Sequence, residues 1–436
     1  MGYPDRFRSS RACAIGAVCA VVFGAACSHA RQDEEALAAA KSAIQSALRS
    51  PRQPFVGNDK RAGRAWADTR QFYERRDDAP VWSDGRKANG RAGELARAIG
   101  AASQDGLDAA DYDVTPIDPS HAGESDVRLT YTLFRYARDL SSGTIDPEAV
   151  DSQWHRAPRE LDLQAAIDEA VERGIDQAVA KLAPHSPQYL GLKHQLASCR
   201  DDDCRRVVAV NMDRWRWLPD DLGSRYLIVN IPAFRLDAIE NGRSVLDMKV
   251  VTGKKENPTP VLADEMTSVV FSPYWNIPQD IVDREILPKA DKDPNYLERQ
   301  NIEYDESSGH YRQRPGKGNS LGGVKFLFPN HFNVYLHDTP SVHLFDRVER
   351  DFSHGCVRVE QPLALAKYVL RDKPEWTEDR IREAMTSGVE KGVPLGQPLP
   401  IYLVYFTAWD EGGRLRTVAD VYGHDRRQHA ASAASP

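Results

Sequence analysis

A thiol beside two sources of positive charge stands in Ser353-His354-Gly355-Cys356-Val357-Arg358, and eighteen residues separate Cys356 from a second histidine, His337. A cysteine attacks as its thiolate, so it needs a nearby imidazole, cation or helix N-terminus to take or stabilise the proton's charge. His354 and Arg358 are local cations. Gly355 lets the backbone come close to a bound group and leaves amide donors open to an oxyanion. Val334-Tyr335-Leu336 reads as a short strand that ends at His337-Asp338-Thr339, a rigid perch for a base. The residues therefore offer Cys356 as a nucleophile and His337 as its general base. The amides of Gly355 and Cys356 would serve as oxyanion donors, while Ser353, His354 and Arg358 shape the loop or meet a substrate carboxylate. Taken alone, a single cysteine is more often a buried structural thiol. A zinc site from His337, Asp338, His343, His354 and Cys356 lacks metal-ligand spacing, so neither metal nor cofactor is expected.

The elements that must hold these residues follow from periodicity. From about residue 206 the pattern favours strands, at 207–210, 226–231, 267–271, 324–328, 333–336, 400–408 and 414–422. Helices are expected at 362–371 and 378–386. Residues 234–250 read as a hairpin. A loop of Glu240, Asn241 and Gly242 sets Leu236 opposite Leu246 and keeps one face apolar, whereas an Asn241-Gly242 loop would set it opposite Asp247. Residues 279–320 form a long polar stretch with several prolines, the habit of a lid or binding loop. Tyr335 and, beside this stretch, Tyr274 and Trp275 are candidates for lining a substrate groove, with core packing the alternative for the latter two. Trp215 and Trp217, on one predicted strand face, are assigned to packing in preference to a sugar platform. Upstream, 58–200 is helical, and Leu129, Leu133, Tyr136, Ala137 and Leu140 make one apolar stripe ended by Ser141, Ser142 and Gly143.

With 436 residues the chain has room for two or three domains, and a formal charge of −7 excludes nucleic acid as the main partner. Arg6, Arg8 and Arg11 precede an apolar run from Ala12 to Ala26, about 15 residues and short of a membrane span. The run reads as a signal segment, 1–26. Gly24-Ala25-Ala26 before Cys27 resembles a bacterial lipobox, which predicts a lipidated cysteine and a place on the periplasmic face of the envelope, with a tether over 27–57 that is helical from Glu34 to Leu48. The outer membrane is the favoured anchor. In such an oxidising compartment Cys199 and Cys204 are near enough to pair, geometry deciding whether they do. The tail, 426–436, is Ala- and Ser-rich and expected to be disordered.

Tyr335-Leu336-His337-Asp338-Thr339 together with Ser353-His354-Gly355-Cys356-Val357-Arg358 resembles the signature of L,D-transpeptidase catalytic domains. Phe72-Tyr73-Glu74-Arg75, Pro80-Val81-Trp82, Asp105-Gly106-Leu107 and Arg138-Asp139-Leu140 resemble the helical scaffold of the larger periplasmic members. Asn211-Met212-Asp213-Arg214-Trp215-Arg216-Trp217-Leu218-Pro219 and Val229-Asn230-Ile231-Pro232 resemble the entry into the catalytic domain. The resemblance implies an α+β multidomain chain: a helical scaffold over 58–200, then a strand-dominated catalytic domain over 205–425 with a capping loop at about 279–320. Only about 15 residues lie between Tyr189 and Cys204, too few for the peptidoglycan-binding module many relatives carry. The implied chemistry joins peptidoglycan tetrapeptide stems, donor and acceptor, by a 3-3 cross-link through a Cys356 thioester, with carbapenems as inhibitors. The same thioester resolved by water would make an L,D-carboxypeptidase, and resolved by a lysine would attach a lipoprotein. A non-catalytic peptidoglycan-binding lipoprotein is the alternative outside enzymes.

Overall fold

The computed structural model describes residues 34–50, 53–83, 88–154 and 161–433, so the expected signal segment and Cys27 lie outside the described residues. The chain forms two compact units, one drawn from residues up to Ser141 with Leu161–Ala183, the other from Ser142–Glu160 with Pro184–Ala434. Among the described residues no helix is long and apolar enough to cross a membrane.

The first unit is helical, with helices at Lys60–Arg75, Gly90–Gly100, Ala122–Ser142, Leu163–Arg173 and Ile175–Ala180. The predicted stripe on Ala122–Ser142 is buried throughout, and Gly143 beyond it takes a φ of +88°. Asp126 on this helix is buried, yet accepts hydrogen bonds from the Tyr73 hydroxyl (2.7 Å) and the Val81 and Trp82 amides (2.9 and 3.0 Å). A carboxylate so placed fixes the Pro80-Val81-Trp82 turn, because removing it would leave buried donors unmet. The helical stretch expected from Glu34 to Leu48 forms, but it packs instead of serving as a loose tether. Residues 34–49 are a helix with Ala40, Ile44 and Ala47 buried, and a Cβ on Gly123 would collide with Ala43. Small residues there allow close helix approach, so this segment belongs to the core.

In the second unit, Pro187–Ser198 and Asp202–Trp215 are helices joined across the Cys199–Cys204 disulfide, whose Cα atoms are 5.6 Å apart. The strand expected at 207–210 is therefore wrong. Asp201 caps the second helix by accepting from the Cys204 amide, and Asp202 and Asp203 occupy its first turn, which outweighs the β-preference of Val207 and Val208. Trp215 stacks on Phe406 at 4.6 Å and Trp217 meets Trp154 edge-on at 5.0 Å, so both are packing residues.

The strands are β1 (Arg225–Asn230), β2 (Arg235–Glu240), β3 (Arg243–Gly253), β4 (Leu262–Phe271), β5 (Trp275–Asn276), β6 (Ile302–Asp305) and β7 (His310–Gln313). They continue with β8 (Val324–Leu327), β9 (Leu336–His337), β10 (Asp351–Ser353), β11 (Val357–Val359) and β12 (Lys391–Val404), before the pair β13 (Ala408–Asp410) and β14 (Leu415–Thr417). Nine make one sheet in the order β10-β3-β11-β9-β8-β4-β12-β1-β2, and β2 also pairs with β3, so eight of them close into a ring with β10 added on β3. Closure removes exposed edges. Leu227, Val229, Leu236, Met266, Phe326 and Leu336 are among the side chains of its core.

The hairpin corrects the expected register. Glu240 pairs with Arg243 across Asn241-Gly242, both at positive φ, the turn whose twist suits a two-residue hairpin. A bulge then shifts the register by one, setting Leu236 opposite Met248 and Ala238 opposite Leu246. The apolar face survives by a bulge in the strand, not by a longer loop.

Residues 279–320 are also more ordered than a polar loop. Strands β5, β7 and β6 form a three-stranded sheet. Ile277, Ile281, Val282, Ile286 and Ile302 make a separate small core beneath it, with Trp275 packed against them. The helix from Gln279 widens to π geometry over Val282–Ile286, where Pro288 lacks the N–H that a regular ladder would use.

The tail is not disordered as expected. His424–Ala433 is a helix, and Gln428 is buried, accepting from Arg214 Nε (3.0 Å) while Asp425 pairs with Arg214 Nη2 (2.7 Å). Composition concealed this, since burial rests on three polar side chains and not on an apolar stripe. Truncation after Gly423 is expected to destabilise the second unit by about 3–5 kcal/mol, because Arg214 would stay buried without its carboxylate. A urea midpoint unchanged by the truncation would contradict this.

Candidate active site

Parallel pairing of β9 with β11 sets Leu336 opposite Val357 and His337 opposite Arg358. Side chains alternate along a strand, so Leu336 and Val357 enter the core while His337 and Arg358 share the other face. Both apolar residues are fully buried. One step back on each strand, the same parity puts Tyr335 and Cys356 on the face of His337 and Arg358. The Val357 amide donates to the Tyr335 carbonyl at 3.1 Å, continuing the ladder. Eighteen residues of intervening chain thus become one side-chain cluster by strand register. Across β8, Lys325 is registered with His337 and adds a second cation to the row.

Cys356 is half-buried and is the free cysteine among the described residues. Its sulfur hydrogen-bonds to the Asn333 carbonyl at 3.8 Å, and the Tyr335 hydroxyl and amide also point to it. Burial pushes the thiol up to about 11, against the lowering influence of Tyr335 and Arg358. The resting group is therefore a protonated thiol at neutral pH.

His337 is buried, and its Nδ1–H donates to the Asp338 carbonyl at 2.6 Å. That bond fixes the tautomer and leaves the lone pair on Nε2. Burial, then the Arg358 charge, bring its pKa down to about 3, so the ring is neutral and free to accept a proton. The Tyr335 ring packs edge-on against it at 5.8 Å. Asp338 holds the end of β9, its carboxylate accepting from the Gly323 amide (2.8 Å) and the Thr339 amide (2.7 Å). Among the described residues no hydrogen bond joins the Cys356 sulfur to the imidazole at rest.

Ser353 is buried, and its hydroxyl donates to the Cys356 carbonyl (2.5 Å) and accepts from the Gly355 amide (3.1 Å). The Gly355 amide is thereby spent within the turn, which corrects its expected place as an oxyanion donor and leaves the Cys356 amide. Gly355 has a φ of +112°, a conformation that strains any residue with a Cβ. Arg358 keeps a buried Nε with no acceptor among the described residues. His354 turns outward to Glu285, with Nε2 to Oε1 at 2.8 Å, tying the cysteine turn to the layer at 279–320. Glu285 escaped the sequence reading, for one carboxylate in a polar stretch carries no signal of its partner. Tyr274 and Trp275 belong to that layer: Arg312 covers the Tyr274 ring at 4.3 Å, and Trp275 fills the small core.

An alkylation experiment tests the resting charge state. With the thiol near 11, about 10⁻⁴ of Cys356 is thiolate at pH 7, against about 3% for an ordinary cysteine. Iodoacetamide labelling should accelerate about tenfold per pH unit from 7 to 10. Rapid, pH-independent labelling between 5 and 8 would instead reveal an ion pair already formed.

Comparison with known proteins adds an independent line. Residues 67–196 match a family described as a scaffold domain, and residues 224–386 match the L,D-transpeptidase catalytic domain. A Haemophilus influenzae protein provisionally named an L,D-transpeptidase is 28% identical over 389 residues, covering 82% of this chain and 78% of that one. Among solved structures, an L,D-transpeptidase from Mycobacterium smegmatis is 16% identical over 42% of this chain and 58% of its own, with a TM-score of 0.23. The Mycobacterium tuberculosis L,D-transpeptidase 1 is 15% identical over 42% and 61%, with a TM-score of 0.20. This chain spans less than two thirds of either solved chain.

Proposed function

We propose, since residues 224–386 match the L,D-transpeptidase catalytic domain behind a scaffold domain at 67–196, that the chain forms 3-3 cross-links between peptidoglycan stem peptides through a thioester on Cys356. The register that gathers Tyr335, His337, Cys356 and Arg358 on one sheet face is the observation that supports this reading. Nε2 of His337 takes the thiol proton as the sulfur attacks the carbonyl of the donor's third residue, meso-diaminopimelate. The carbonyl oxygen becomes an oxyanion facing the Cys356 amide, with the Tyr335 hydroxyl as a second donor. The C–N bond then breaks, and terminal D-Ala leaves with the proton from His337. In the second half, the side-chain amine of another stem attacks the thioester. His337 accepts the amine proton and returns it to the departing sulfur.

Arg358 supplies what a stem peptide needs besides a nucleophile. Its unmet Nε and its place beside His337 suit a diaminopimelate or D-Ala carboxylate. The layer at 279–320, latched through Glu285 to His354, acts as the cap that excludes water and favours the amine over hydrolysis. A carbapenem would acylate the same sulfur, its strained lactam carbonyl replacing the stem amide. The N-terminal segment would deliver the enzyme to the periplasm and hold it there by lipid on Cys27.

Incubation with purified disaccharide-tetrapeptide and mass analysis of the products tests this. Cross-linked dimer with released D-Ala is expected. Tripeptide without dimer would make the enzyme an L,D-carboxypeptidase, and no D-Ala release would remove the reading.

A further inference from the structure

The carbonyl just before Cys356 is gripped from outside its own turn. Thr259, buried in the link between β3 and β4, donates its hydroxyl to Gly355 O at 2.8 Å. The Thr259 hydroxyl oxygen in turn accepts from the Gly253 amide at 2.8 Å, so its proton is directed at Gly355 O. Thr259 is held in turn: its amide donates to the Tyr422 hydroxyl (3.3 Å), which itself donates to the Gly253 carbonyl. The Tyr422 amide donates to the Tyr405 hydroxyl at 2.8 Å, and that hydroxyl to Asp420 at 2.8 Å.

Gly355 O and the Cys356 N–H belong to one planar trans peptide and point in opposite directions. Fixing the carbonyl fixes where the amide points. Gly355 needs that restraint, since at φ +112° a glycine has broad rotational freedom. We propose that Thr259 is the positioning residue of the oxyanion site, aiming the Cys356 amide by holding Gly355 O, with Tyr422 as its support. The inference rests on the reading of Cys356 as the acyl nucleophile.

Two reactions of one sulfur separate aiming from general damage. Acylation by a carbapenem passes through an oxyanion, whereas alkylation by iodoacetamide displaces iodide at carbon and forms none. Thr259→Val keeps the side-chain shape and deletes the donor. It is expected to slow the saturated acylation rate by about 10–100-fold, as a misaimed oxyanion donor would, with little change in alkylation. Thr259→Ser should restore most of the loss, and Tyr422→Phe should give a smaller loss of the same kind. Wild-type acylation by Thr259→Val would overturn the proposal, and so would equal losses in acylation and alkylation, which mark a structural role alone. A Cys356→Ala control that still gains the carbapenem adduct would sink the nucleophile reading itself, a separate failure.

Discussion

Cys356→Ala is expected to lower D-Ala release from tetrapeptide stems by about 10⁶-fold, the scale on which enzymes lose activity with a covalent nucleophile. No second thiol can substitute among the described residues, because Cys199 and Cys204 are paired. The fold should hardly notice. Cys356 is half-buried, and its sulfur makes only weak hydrogen bonds, to the Asn333 carbonyl at 3.8 Å and with Tyr335. A change of that kind moves stability by about 1 kcal/mol or less, so the melting temperature should stay within a few degrees. The turn is held by the Ser353 hydroxyl and Gly355, which the substitution leaves alone. Residual release within tenfold of wild type would mean that another group attacks the stem.

His337→Gln is expected to slow acylation by about 10²–10⁴-fold, the contribution of a positioned general base. The pH dependence is the sharper readout. With the imidazole near 3 and the thiol near 11, the free wild-type enzyme keeps its productive protonation state across the neutral range. Its acylation rate should therefore be flat from about pH 5 to 9. Without the ring, only the rare thiolate reacts, and the residual rate should climb about tenfold per unit. Stability changes in the opposite sense. A histidine held near 3 in the fold and titrating at about 6.5 when unfolded gives stability that is full above 6.5 and lost as pH falls toward 3. The loss approaches about 1.4 kcal/mol per pH unit for each such ring. His424, also buried and held at about 3, contributes a second share. His337→Gln should thus be slower in reaction but less sensitive to acid. A variant as fast as wild type at pH 6 would show that the base lies elsewhere.

Much of the site was legible because its geometry is carried by strand alternation, which is a property of sequence. Tyr335 and His337 are two apart, as are Cys356 and Arg358, and adjacent pairing makes them neighbours. What could not be read was the grip on them from distant chain. The Asp338 carbonyl that sets the His337 tautomer is a backbone group without side-chain identity. Thr259 and Glu285 are common residues whose meaning depends on where β3, β4 and the layer at 279–320 bring them. Residues 207–210, inside helix Asp202–Trp215, carry the β-preference of Val207 and Val208, whereas packing and the cap at Asp201 decide the fold. The helical tail stayed hidden for a related reason: Gln428 and Asp425 are buried through Arg214, a pairing no local window contains.

Acid quenching of the wild-type enzyme during turnover of disaccharide-tetrapeptide, followed by peptide mapping, addresses the thioester itself. The peptide that contains Cys356 should gain the mass of the disaccharide-tripeptide acyl group, with one D-Ala released per adduct. A tripeptide acyl group found on any other residue, or D-Ala released in a burst with Cys356 unmodified, would contradict covalent catalysis at this sulfur.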